Sequence, residues 1–335
     1  MAGDHQKELL PSTAPSAHTH HRSPSVIAVD QETVRTKYAW LTLYFSLNLA
    51  LTLYNKAVMM KFPFPYLLTG IHAFCGTMGC MFFYYQGAFT LTRLSDRENL
   101  TLLLFSTLYT INIAISNVSL NLVTIPFHQI VRAMTPFFTV IIYRVFFGKT
   151  YGRATYTSLI PVVAGVGFAT AGDYYFTALG FVLTLFGAFL AAIKTVVTNR
   201  IQTGRLKLSP LELLYRMSPL ALTQTLMYAW FFGEFEGVRG YATEQMGRKE
   251  VLILATNGVI AFGLNVISFT ANKKTGALTM TVAANVKQIL TIVLSIFFWG
   301  LQVTWMNSFG ILLTLFGGAW YAYVTHLYPI LPGSS

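Results

Sequence analysis

The sequence predicts an all-α polytopic membrane protein of ten transmembrane helices, arranged as two inverted five-helix repeats. Three observations lead there. First, the 335 residues are 54% hydrophobic and only 10% charged. Soluble domains carry about a quarter charged residues, so lipid must be the solvent for much of this chain. Second, the apolar residues fall in ten long continuous runs, each near the roughly 20 residues that cross a hydrocarbon core. Backbone groups in lipid must be satisfied within a segment, so continuous runs of this length are helices and not strands of a barrel. Third, the basic residues alternate between the loops that join the runs.

Residues 1–36 are polar, with Pro11, Pro15 and Pro24 and a cluster of His18, His20 and His21. They lack the apolar centre of a secretory leader. Their composition predicts a disordered tail. The runs of the first repeat lie at about 38–60, 66–86, 101–121, 125–147 and 155–172. Those of the second lie at about 175–197, 210–232, 251–271, 277–299 and 303–325. Residues 37–326 therefore form one membrane domain, followed by a short tail at 327–335. Pro126, Pro136, Pro161 and Pro219 fall inside runs and predict broken or kinked helices. Cys75 and Cys80 lie five positions apart in one run, point in different directions on a helix and cannot bridge each other.

The formal net charge is +11. No contiguous basic stretch with interleaved aromatics is present, so the charge is topological, and nucleic acid is not an expected partner. One set of loops holds Arg35 and Lys37, Arg93 and Arg97, Lys149 and Arg153, Arg200, Arg205 and Lys207, then Lys273 and Lys274. The opposite set holds Lys61 and the 233–250 segment, where Glu234, Glu236, Glu244 and Glu250 outnumber Arg239, Arg248 and Lys249. The first set belongs on the cytosolic side. With ten spans both termini fall there as well.

The repeat is visible in the basic residues. Asn55-Lys56 followed by Pro65-Tyr66-Leu67-Leu68 resembles Asn199-Arg200 followed by Pro210-Leu211-Glu212-Leu213. Val131-Arg132 in the fourth run parallels Val286-Lys287 in the ninth. Five runs separate the copies, so the second copy is upside down, and inverted repeats of this kind enclose a ligand site at their interface.

Charges inside spans cost about 2.5–3.5 kcal/mol each on insertion scales, so they persist only beside a cavity or a partner. Lys56, Arg132, Lys194 and Lys287 lie well inside runs, while Arg144 and Arg216 stand nearer the ends and can snorkel. No Asp or Glu lies deep in any run; Glu212 stands at a helix start. Cations without carboxylates imply that the anion comes from a ligand, and guanidinium and ammonium groups suit phosphate. Asn55, Asn117, Ser119, Asn121, His128, Gln129, Asn265, Ser268, Asn285 and Gln288 are polar companions in the same runs. Each can bind ligand or tie one helix to another. No Walker motif, HExxH or paired intramembrane carboxylate is present, so neither an enzyme nor a bound cofactor is expected.

Several stretches resemble the nucleotide-sugar and triose-phosphate translocators of the drug/metabolite transporter superfamily. They are Leu53 to Lys56, Asn117 to Leu120, Phe127 to Phe138, Leu213 to Pro219 and Thr275 to Lys287, in family order and spacing. The resemblance covers about residues 38–325. It implies a transporter domain of two inverted halves that exchanges one phosphorylated solute for another. It further implies that Arg132 and Lys287 are phosphate ligands and that Asn55 and Lys56 belong to the gate or the site. Lys194, His128, Asn285 and Gln288 complete the expected binding set. Triose-phosphate members read Lys-Arg where this chain has Lys287-Gln288, and carry His and Tyr where it has Ile113 and Leu264. The stretches around Arg216 and Lys287 look more like the nucleotide-sugar branch.

The expectation is an antiporter of the Golgi or ER membrane, exchanging a nucleotide sugar for a nucleoside monophosphate. A sugar-phosphate or other organic-phosphate exchanger of the same fold, or a non-transporting membrane scaffold, is the alternative. A second copy of the chain is left open as a partner.

Overall fold

A computed structural model describes residues 24–173, 176–284, 288, 291–292 and 304–327, with side chains from residue 35 onward except at 56, 121, 326 and 327. Among the described residues every regular element is a helix. In chain order these are α1 (Pro24–Met59), α2 (Pro65–Tyr85), α3 (Asp96–Leu122), α4 (Ile125–Arg132), α5 (Thr135–Phe147) and α6 (Arg153–Ala171). There follow α7 (Ala178–Thr203), α8 (Pro210–Phe231), α9 (Glu234–Glu244) and α10 (Arg248–Thr275). A helical stretch at 277–284, here α11, and α12 (Trp305–Leu327) complete the set. Seven helices, with α4 and α5 taken as one stretch, are long and apolar enough to cross a membrane. They are α2, α3, α4–α5, α6, α7, α10 and α12; α8 carries Glu212, Arg216 and Gln224 and falls outside that set.

Local sequence explains most boundaries. Pro65 and Pro210 each stand in the first turn of their helix, where the missing N–H is no loss. Ser209 caps α8 by accepting the Glu212 N–H at 3.1 Å. The Glu98 carboxylate reaches back to the Ser95 N–H at the start of α3, 2.9 Å. Gly148 ends α5 at φ 60°, a left-handed conformation that a side chain would strain.

Three features depart from the sequence expectation. Residues 24–36, counted with the disordered tail, are helical: Pro24 opens α1, and Ala28, Gln31 and Glu32 are ordinary helix formers that apolarity alone does not reveal. The fold divides after Thr36, and the second unit begins at Lys37. The 233–250 segment contains the unanticipated helix α9, entered through Gly233 at φ 72° with Glu234 and Glu236 in its first turn. Pro161 and Pro219 do not break their helices, since α6 and α8 run through them.

Pro136 does mark a break. It has no N–H to offer the Arg132 carbonyl four residues back. The chain turns at Ala133–Met134, α4 ends on Arg132, and the Thr135 hydroxyl donates to that orphaned carbonyl at 2.6 Å.

The helices pack as α6 on α12, α2 on α8 and α10, α3 on α7 and α8, and α5 on α7. Glycines set the closest of these contacts. A Cβ on Gly310 would lie 2.3 Å from the Ala169 backbone nitrogen, and one on Gly165 2.5 Å from that of Thr314. Small residues let α6 and α12 approach backbone to backbone, as membrane interfaces require. α2 and α8 run antiparallel, tied at both ends by buried carboxylates. Glu234 accepts the Tyr66 and Leu67 N–H groups, 3.0 and 2.8 Å, at the α2 N-terminus. Glu212 accepts the Thr92 N–H, 2.8 Å, beyond the α2 C-terminus and pairs with Arg216 at 3.1 Å. Arg216 also donates to the Thr92 carbonyl, so it completes this tie. Both cysteines are free, Cys80 fully buried and Cys75 partly so.

Candidate functional site

The helices α1, α2, α3, α4, α8 and α10 surround a central cavity of about 530 Å³. Its wall is mostly aliphatic, with polar groups at separate places. Thr52 and Asn55 come from α1, Thr69 and His72 from α2, Tyr109 and Asn117 from α3, and Gln129 from α4. Ser218 and Thr225 of α8, Asn265 of α10 and Thr291 complete them.

The cations stand just behind one side of this wall. Arg132 lies one turn beyond Gln129, and its Nη1 donates to the Ser116 hydroxyl at 2.6 Å. Ser116 is the neighbour of the lining residue Asn117. Lys194, on α7, places its ammonium 4.6 Å from the centre of the lining Tyr109 ring, within cation–π range. Arg132 therefore ends α4 at the negative pole of that short helix, with a hydroxyl and not a carboxylate as its side-chain partner among the described residues.

The neutral side is built differently. His72 Nε2 lies 2.5 Å from Asn257 Oδ1, and Asn257 Nδ2 donates to Asn55 Oδ1 at 2.8 Å. Asn257 is fully buried, while His72 and Asn55 face the cavity at either end of this chain of bonds. The bonds are made possible by Gly258, which lets α10 close on α2: a Cβ there would stand 2.5 Å from Cys75 Sγ.

Of the residues expected to bind ligand, the structure puts Asn55 in the cavity wall. Lys194 stands against the wall residue Tyr109, and Arg132 against Ser116, the neighbour of the wall residue Asn117. His128 is buried in α4, packed away from the lining, and Gln288 is buried with its Oε1 unpartnered among the described residues. Lys287 and Asn285 lie outside the described residues, as does the side chain of Lys56. Ile113 and Leu264, singled out on the resemblance, both line the cavity. Sequence reading missed His72 and Asn257. A lone histidine in an apolar run gives no periodic signal, and its partner is 185 positions away. Tyr109 was equally silent, because an aromatic in a span reads as packing.

A bundle of apolar helices around an interior cavity, with half-buried cations beside it and, among the described residues, no hydrolytic machinery converging on it, has the form of a membrane carrier. Residues 37–322 match the Triose-phosphate Transporter family, and the chain belongs to that family, one of transporters and not enzymes. UDP-galactose transporter 1 of Arabidopsis thaliana is 27% identical over 289 residues, covering 85% of each chain. UDP-uronic acid transporter 1 of the same plant is 29% identical over 82% of this chain and 90% of its own. The chloroplastic glucose-6-phosphate/phosphate translocator 2 is 24% identical over 82% of this chain and 71% of its own. One solved crystal structure superimposes with a TM-score of 0.60 at 12% identity, over 88% of this chain and 98% of that one, and shares the fold.

Proposed function

We propose that the protein is a secondary antiporter that takes a cytosolic nucleotide sugar across a Golgi or ER membrane and returns a nucleoside monophosphate by alternating access. In this reading the chain has ten spans in two inverted five-helix halves, with both termini cytosolic. The packing of α2 on α8 and of α6 on α12 supports it, because these pairs join the second and fifth spans of each half to their counterparts. Residues 37–326 are then the transporter domain.

One observation carries the proposal: Arg132, half-buried beside the cavity, is held by a serine hydroxyl, with no carboxylate partner among the described residues. A guanidinium in that setting is ready for a counter-charge from outside the chain, and a phosphate entering the cavity supplies one bidentately. Arg132 and Lys287 are assigned to the phosphates, with Lys194 reinforcing the positive field and Asn55 and Lys56 at the opposite wall. His128, Asn285 and Gln288 support these ligands from the flanking helices. Two relatives named as nucleotide-sugar carriers and the apolar Ile113 and Leu264 in the wall favour the nucleotide-sugar reading.

The test is uptake into proteoliposomes. Radiolabelled UDP-galactose or GDP-mannose should enter vesicles loaded with the matching monophosphate many times faster than empty vesicles. Equal rates into loaded and empty vesicles count against exchange. The relative named as a glucose-6-phosphate/phosphate translocator supports a second reading, a sugar-phosphate exchanger of the same fold. Competition by UMP, GMP and CMP against triose phosphate separates the two.

A further inference from the structure

The polar groups that α1 and α2 bring to the cavity wall are suited to hydroxyl groups. With Asn257 Nδ2 donating to Asn55, its Oδ1 is the acceptor that faces His72, so the proton of the neutral imidazole sits on Nε2. That leaves Nδ1 as the ring's acceptor. Asn55, whose Oδ1 is taken by Asn257, keeps its Nδ2 as a donor. One acceptor and one donor therefore remain on side chains that line the cavity, while the residue that orients both is fully buried behind them.

A tie between helices would need no such arrangement. Asn112 on the Gly187 carbonyl and Asn307 on the Ala169 carbonyl are ties of that simpler kind, side chain to backbone and away from the cavity wall. The diphosphate of a nucleotide sugar carries no proton at neutral pH, so it offers only acceptors and cannot pair with the His72 Nδ1 lone pair. A hydroxyl donates and accepts at once and satisfies both groups. Thr52 and Thr69 extend the same neutral wall on either helix.

We propose that His72 and Asn55, set by Asn257, form the sugar-recognising end of the cavity, and that the phosphate lies at the Arg132 end. The inference rests on the antiporter reading and deepens it: His72 is a specificity-determining ligand for the glycosyl hydroxyls, and Asn257 is a positioning residue.

The experiment measures inhibition of exchange in proteoliposomes by a ligand that bears a hexose, the sugar-bearing member, and one of the same kind that lacks it. The pairs are UDP-galactose with UMP, GDP-mannose with GMP, and glucose 6-phosphate with inorganic phosphate. A neutral hydrogen bond is worth about 0.5–1.5 kcal/mol, so His72→Ala should lower the preference for the sugar-bearing member roughly three- to tenfold. Asn257→Ala should move the ratio the same way, because the ring loses its fixed tautomer. His72→Gln, which keeps a donor and an acceptor, should restore part of it, and it carries the test if the alanine variant fails to fold. An unchanged ratio, or equal weakening of both ligands, overturns the proposal. A wild-type protein that exchanges none of these pairs sinks the antiporter reading itself, whereas normal wild-type exchange with an unaltered ratio in His72→Ala sinks only this inference.

Discussion

At the residue scale, interior carboxylates are tied to defined partners. Glu234 illustrates the cost of a tie. Burial pushes its carboxyl above the usual glutamate range, although the Tyr66 and Leu67 N–H groups pull the other way. The folded protein therefore holds the Glu234 proton more tightly than the unfolded chain does. The stabilisation this brings is present below the ordinary value near 4.5 and is lost as pH rises through the folded value. Thermal unfolding in detergent should accordingly show a component that weakens from about pH 4.5 upward, and Glu234→Gln should remove it. A variant with the same pH slope as wild type would refute this account. The sequence announced the acidic segment around Glu234 but not its role, because the capped residues, Tyr66 and Leu67, lie 168 and 167 positions earlier. Arg216 is a similar case: its place near a span end suggested snorkelling, and only the fold brings Thr92 to it. By contrast, the Ser116 partner of Arg132 among the described residues agrees with a sequence in which no acidic residue shares its part of any run.

At the scale of elements, length and apolarity defined the helices well, and prolines and glycines defined their interruptions unevenly. Pro136 breaks a helix where Thr135 can rescue the freed carbonyl, and the break leaves Arg132 at a helix end. Pro161 and Pro219 have the same chemistry, yet α6 and α8 continue through them, packed along α12 and α2. Which proline breaks a helix is thus decided by packing that no single segment contains. The α6–α12 seam provides a sharper test. Its backbones meet at Gly310, where an added methyl group would lie 2.3 Å from the Ala169 nitrogen, a contact that no rotamer change relieves. Gly167, in the same helix α6, has nothing within 4 Å of its Cβ position. Gly310→Ala should destabilise by about 3 kcal/mol or more, at the upper end of overpacking costs. Gly167→Ala should be neutral or slightly stabilising, as alanine replaces glycine in a helix interior. Melting temperatures of the two variants check this, and equal shifts would show that the seam is looser than the structure has it.

At the scale of the whole molecule, the proposed antiport would couple ligand to motion through the charge arrangement. Among the described residues Arg132 and Lys194 lie near the cavity, and in the proposed alternating access that positive interior would have to pass through a state closed on both sides. An uncompensated charge at mid-membrane costs about 2.5–3.5 kcal/mol, and closing the empty carrier over it would slow the return step by up to about two and a half orders of magnitude. A bound phosphate removes that cost, which is why a loaded carrier would turn over and an empty one would wait. The variant Arg132→Gln should then show two opposed effects. Its affinity for phosphorylated ligand should fall, because a charge-assisted contact is gone. Its empty return, however, should become faster relative to exchange, because less charge has to be closed in. Uptake into unloaded vesicles, divided by uptake into vesicles loaded with nucleoside monophosphate, measures this directly and should rise toward one. If Arg132→Gln lowers uptake but keeps the wild-type ratio, Arg132 binds ligand without governing the return, and the exchange requirement must arise from another part of the fold.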